Sequence, residues 1–202
     1  MAVITWPDYR VASIRWNKAV QAVVFKSIFG SQSLAGAAPL VMASISGVSE
    51  TRAQGRLIES LFDSLNGFSN QLALWNVELP VPAGTMRGVM TLRDPVAQGQ
   101  TFIIPIASGQ AGKTLKAGDL LGIGSGATQQ VVRVAADAVA DGTGAAYVTI
   151  QTPMRNAFAA GAAVAWDRPK ALFRLNSPFE GLIYGPEGAE PWSVELREDW
   201  RA

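Results

Sequence analysis

Two of the side chains most used for catalysis are missing from this 202-residue sequence, which contains no histidine and no cysteine. The absence of histidine removes the commonest metal ligand and the usual general base near neutral pH. The absence of cysteine excludes disulfides, thiolate nucleophiles and cysteine-ligated metal. Carboxylates are what remains for proton transfer, and two groups of them stand out. Asp137 and Asp141 lie in a turn-rich stretch, while Glu195, Glu198 and Asp199 are interleaved with Arg197 and Arg201. Glycoside hydrolysis needs two such acids held across a substrate. Nothing in the linear order sets any two face to face, and surface ion pairing accounts for the second group more simply.

Two glycine-rich stretches invite a nucleotide reading. Gly109-Gln110-Ala111-Gly112-Lys113-Thr114 resembles the end of a phosphate-binding loop, but Ala107 stands where the first glycine belongs, and Leu115 leads toward Gly118 and strand-like sequence instead of a helix. An ordinary turn is expected there. Gly122-Ile123-Gly124-Ser125-Gly126 lacks the third glycine at the dinucleotide-binding spacing and lacks the following helix, so it reads as a hairpin tip. Among the six tryptophans, most read as core or interface anchors. Trp192 and Trp200 are the pair that a single sheet face near the C-terminus would present, for an interface or for stacking on a glycan. No catalytic, cofactor-binding or metal-ligating residue is assigned.

Composition narrows the classes further. Charged residues make up 16%, against roughly 25% in an average soluble domain, and 31 alanines and 20 glycines take their place. The net charge of +1 argues against a chain devoted to neutralising phosphates or coating an acidic membrane. No apolar run is long enough to span a bilayer. Residues 1–10 interrupt any signal-peptide-like stretch with Trp6, Pro7, Asp8 and Tyr9, so the chain is expected to stay where it is made.

The elements that would position these residues are mostly strands. Between Arg10 and Ile28 the pattern predicts two strands with Asn17-Lys18 as the turn, followed by a small-residue loop from Gly30 to Pro39 and a third strand from Leu40 to Ser46. One helix is expected from about Glu50 to Leu65, capped by Ser49, with Leu57, Ile58, Leu61, Phe62 and Leu65 as its apolar stripe and Asn66-Gly67 as its stop. Strands follow at Gln71–Leu79 and Gly88–Arg93, separated by the proline-rich loop Pro80–Gly84. From Ala97 to Asp167 the texture shifts to Gly, Ala and Thr with balanced charge. Short strands are expected there at Phe102–Ile106, Leu120–Ile123, Gln129–Val134 and Ala146–Ile150. Strands at Pro169–Asn176 and Trp192–Trp200 return to the first module. The plan is a mainly β fold with one helix: residues 1–96 and 168–202 make a β-sandwich or split-barrel domain, and residues 97–167 make an inserted small β-barrel or sandwich.

One longer pattern is distinctive in order and texture. Leu115-Lys116-Ala117-Gly118-Asp119, Gln129-Gln130-Val131-Val132-Arg133-Val134, Ala140-Asp141-Gly142-Thr143-Gly144-Ala145-Ala146 and Ile150-Gln151-Thr152-Pro153-Met154-Arg155 come in sequence. Gly161-Ala162-Ala163-Val164 and Phe173-Arg174-Leu175 follow them. With the upstream helix and the Trp75 strand, this resembles the distal tail proteins of long-tailed bacteriophages over roughly Thr51 to Asn176; residues after Asn176 match nothing in that pattern. The resemblance implies a virion structural protein of the tail tip, made in the host cytoplasm, with no enzyme activity and no cofactor. It also implies a ring, hexameric in the family, in contact with the tail-tube, tape-measure and tail-tip hub proteins. A low-charge, alanine-rich surface suits a ring component, because a head-to-tail ring buries two different patches on every copy. From a different class, a carbohydrate-binding β-module used in host attachment is the alternative.

Overall fold

A computed structural model describes residues 2–7, 9–19, 22–27, 30–35 and 40–199. In the first half, β1 is Val3–Thr5, β2 Ser13–Ala19, β3 Ala22–Ser27, β4 Gly30–Ala35, β5 Leu40–Gly47, α1 Arg52–Ser64 and β6 Gln71–Trp75. The second module adds β7 Met90–Leu92, β8 Phe102–Ile103, β9 Pro105–Ile106, β10 Thr114–Leu115, β11 Leu120–Ile123, β12 Gln130–Arg133, β13 Ala138–Val139, β14 Val148–Thr149 and β15 Ala163–Ala165. The chain then returns as β16 Lys170–Leu175 and β17 Trp192–Glu198. Among the described residues the fold is mainly β with one α-helix.

The first sheet has the order β1-β6-β16-β17-β5-β2, parallel only where β1 meets β6. Its register explains its core. Phe173 stands opposite Leu72, Leu196 opposite Leu175 and Ala43, and Val194 opposite Ile45, which in turn faces Ile14. One face therefore carries a continuous apolar layer, and along β17 burial alternates strictly, with Trp192, Val194, Leu196 and Glu198 inside and Ser193, Glu195 and Arg197 outside. Helix α1 covers one end of that face. Its buried residues are Gly55, Ile58, Leu61 and Phe62, followed by Leu65, and the Phe62 ring meets those of Trp6, Phe179 and Trp192.

Several local expectations are corrected. The helix cap is Thr51, not Ser49: Thr51 Oγ1 accepts from Gln54 N at 3.3 Å and Gln54 Oε1 accepts from Thr51 N at 3.4 Å, a reciprocal capping box. Leu57 is 55% exposed and lies outside the packed stripe. Asn17-Lys18 is no turn but part of β2, paired with Met42 and Val41. Part of the expected loop after it, Gly30–Ala35, is strand β4, laddered against β3. The strand from Gln71 stops at Trp75 because Asn76 turns the chain, its Oδ1 accepting from Glu78 N at 3.0 Å and its carbonyl from Leu79 N at 3.1 Å. Asn66-Gly67 does end the helix region, both at positive φ.

The second core begins earlier than Ala97. Met86, Met90, Leu92 and Val96 pack with Ile103, Leu115, Leu121, Ile123, Val148 and Val164. Accordingly β7 belongs to the five-stranded sheet β12-β11-β15-β7-β9 and not to the first sheet. Two small sheets, β10-β13 and β14-β8, complete the module, and among the described residues no sheet closes into a barrel. The stretch Phe102–Ile106 splits at Ile104, β8 pairing with β14 and β9 with β7. The chain crosses between modules at adjacent points, where Arg168 N donates to the Pro80 carbonyl at 2.7 Å.

Candidate functional site

Strict alternation on β17 sends Glu198 onto the apolar face, 4% exposed. A charge there is tolerated only with a partner. The partner is Arg155, itself 7% exposed, delivered by the loop after β14. Arg155 Nη1 donates to Glu198 Oε2 at 2.6 Å, Nη2 donates to Oε1, and Val41 N donates to Oε2 at 2.9 Å. Gln130 Oε1, on β12, accepts from Arg155 N at 2.9 Å and fixes the approach of the arginine. The bidentate pair thus ties the second module to the central strand of the first. Around it the two cores touch, since Leu120 and Val131 pack into the first core cluster, and Gln129 Nε2 donates to the Lys170 carbonyl at 3.1 Å.

Beside this pair a cleft of about 180 Å³ opens along the seam. Its floor is apolar, from Val41, Leu120, Val131, Ala171 and the Trp16 ring, and its rim carries Asn17, Lys18, Arg133, Gln151 and Thr152. Lys18 is exposed and Arg133 half-buried, and among the described residues neither makes an ion pair. With Glu198 neutralised by Arg155, the cleft has a positive rim over an apolar floor.

The carboxylates singled out from sequence have structural tasks. Asp137 accepts from Lys116 Nζ at 2.7 Å and Ala117 N at 2.9 Å, and the Lys116 bond, with the amide, holds its carboxyl below the usual aspartate range. Asp141 organises its own turn, accepting from Thr143 Oγ1 at 2.6 Å, Thr143 N at 2.8 Å and Ala145 N at 3.1 Å. The threonine hydroxyl is the main cause of its lowered pKa. Glu195 is exposed, whereas Asp199 accepts from Arg174 Nε at 2.6 Å and from Gln71 Nε2. Surface pairing therefore does not describe Glu198, the one acid of that group drawn into the seam. Arg201 and Trp200 lie outside the described residues. Among the described residues no three acidic side chains are grouped to hold a metal ion.

Trp192 is 8% exposed, its ring in edge contact with Phe62 and occupying the space that a Cβ on Gly47 would need. It anchors the core and presents no stacking surface. The solvent-facing aromatic pair is Phe102 and Tyr147, with ring centroids 5.0 Å apart and planes at 23°, Tyr147 being 60% exposed. The phosphate-loop look-alike is a turn with Gly109 and Gly112 at positive φ, leading into β10, and Gly124 and Gly126 form the tip between β11 and β12. No helix among the described residues is long and apolar enough to cross a membrane.

Arg155 and the seam cleft were not legible as a site. The one available signal was Glu198 itself, a charge in register with Trp192, Val194 and Leu196 on an alternating strand. No family model matches this sequence, and no curated protein matches it.

Proposed function

We propose that this chain is a structural protein of the tail tip of a long-tailed bacteriophage, a non-catalytic hub whose copies close into a ring, hexameric as in the family it resembles, between the tail tube and the tip components. The observation that carries this reading is the arm formed by β3 and β4. The two strands ladder together from Ala22↔Ala35 to Ser27↔Gly30 and pair with no other strand among the described residues. Among the described residues no third strand runs beside Ala22–Ser27 or Ser31–Ala35, a liability for a free monomer and an asset for a protein whose neighbours cover such strands. An interrupted β-module bearing one helix, with a second β-module inserted, agrees with the domain plan that the sequence pattern implies.

Native mass spectrometry and electron-microscopic class averages of the purified chain test the reading. Closed rings are expected; a strictly monomeric species at tens of micromolar, with no ring in particles, overturns it. The Phe102–Tyr147 pair favours glycan binding as the second reading, and a glycan array probed with the intact chain and with Tyr147→Ala checks it.

A further inference from the structure

A ring of identical copies needs two different, mutually complementary patches on each chain. The seam cleft supplies one of them: an apolar floor under Lys18 and Arg133. The other lies at the opposite end of the first sheet. Residues 183–190 fold back as a small hairpin, with Glu190 N donating to the Ile183 carbonyl at 2.8 Å and Gly185 N to the Gly188 carbonyl at 2.8 Å. It is clamped to the start of α1, because Glu50 N donates to the Ala189 carbonyl at 3.0 Å and Ala189 N to the Glu50 carbonyl at 2.9 Å. Glu59 holds its other flank, accepting from Leu182 N at 3.0 Å and Tyr184 Oη at 2.8 Å.

This docked hairpin projects one apolar side chain and a set of acids. Ile183 is 71% exposed, and Glu180, Glu187 and Glu190 are exposed, with no ion pair among the described residues. Residues 177–191 contain no lysine or arginine. Arg52 Nη2 donates to the Gly185 carbonyl at 3.4 Å and Arg56 acts on Glu59, so Glu50, Glu59, Glu180, Glu187 and Glu190 face two arginines and the patch stays negative. The cleft and hairpin sit at the two ends of β17, Glu198 lining the first and Trp192 following directly from the second, about 20 Å apart at roughly 3.3 Å per residue.

We propose that copies of this chain meet head to tail, the acidic 183–190 hairpin of one copy seating Ile183 on the apolar floor of the next copy's seam cleft while Glu187 and Glu190 meet Lys18 and Arg133. Size agrees: a cleft of about 180 Å³ is slightly larger than the roughly 150 Å³ cavity that accommodates a benzene ring, and it therefore takes one branched aliphatic side chain. The inference rests on the ring reading and names its contact.

A charge swap tests it, read by native mass spectrometry and sedimentation velocity, with thermal melts to show that each variant is folded. Lys18→Glu/Arg133→Glu makes both patches acidic, and Glu187→Lys/Glu190→Lys makes both basic; each variant alone is expected to sediment as a monomer. Mixed in equal amounts, they are expected to reassemble as alternating copies, giving rings with an even number of subunits. If the wild-type chain forms rings and either variant alone still does, this contact is wrong and the ring reading stands. If both variants are monomeric and the mixture stays monomeric, the two patches do not meet. If the wild-type chain itself is monomeric, the ring reading falls and this contact with it.

Discussion

Arg155 and Glu198, 43 residues apart in sequence, form a bidentate ion pair with both side chains buried, and the pair joins the second module to the central strand of the first sheet. Removing one partner strands the other charge in the interior, which costs about 3–5 kcal/mol, whereas replacing both by apolar groups of similar volume is often neutral or stabilising. Denaturant unfolding of Arg155→Met, of Glu198→Leu and of the double variant is therefore expected to show two strongly destabilised singles and a double that recovers most of the loss. Additive losses in the double variant would show that the pair is not the tie.

Helix α1 offers a cleaner contrast on one element. Phe62 is 1% exposed against three aromatic rings, and Phe62→Ala should cost about 3–5 kcal/mol. Phe62→Asp or Leu61→Asp should abolish folding, since a buried unpaired charge adds several kcal/mol more. Leu57 is 55% exposed, so Leu57→Asp should stay within about 0.5 kcal/mol of wild type. Thermal melts of these variants decide whether the packed stripe begins at Ile58.

What could be read from the sequence was whatever a local period encodes. Alternation on β17, the 3.6-residue repeat of Ile58, Leu61, Phe62 and Leu65 and the Asn66-Gly67 stop all survive, because each follows from backbone geometry and one buried face. Partner choice did not survive. The strand around Met90 carries the same pattern whichever sheet it joins, and Asn17-Lys18 looks like a turn until the long β2–β5 ladder carries it through. The seam was hidden for the same reason. Arg155 lies in a loop, and nothing local states that Glu198, 43 residues on, needs it.

The clamp between Glu59 and the 183–190 hairpin predicts a pH dependence. The Leu182 amide, followed by the Tyr184 hydroxyl, lowers the Glu59 pKa. A carboxylate with a depressed folded pKa contributes stability that is complete above its unfolded value and is lost as pH falls through the folded one. The protection of the 183–190 amides, their exchange rate relative to the intrinsic rate at each pH, should thus hold through the ordinary carboxylate range and fall only below it, and Glu59→Gln should remove that dependence. At the alkaline end Tyr184 is raised, first by desolvation and then by its bond to Glu59. Its contribution is complete below the unfolded tyrosine value and is lost as pH rises through the folded one. Protection indifferent to pH at both ends would mean that the hairpin is held by its Ala189–Glu50 backbone bonds alone.

The last prediction concerns excising the second module. Cutting at residues 97–167 removes Arg155 and the sheet partners of β7, leaving Glu198 buried without its cation and Met90 and Leu92 without a core. That deletion is expected to aggregate. A cut at residues 81–167 takes β7 with its own module, and the ends to be joined are already neighbours, since Arg168 N donates to the Pro80 carbonyl. A short Gly-Ser bridge then closes the gap at little entropic cost. The larger cut still exposes the face that Leu120 and Val131 covered, and it still orphans Glu198. Only the 81–167 deletion combined with Glu198→Leu is expected to give a soluble, cooperatively melting β-domain. Should the 97–167 deletion melt as cooperatively as the full chain, β7 would have to be stable without its sheet and the seam pair would contribute nothing to the first module.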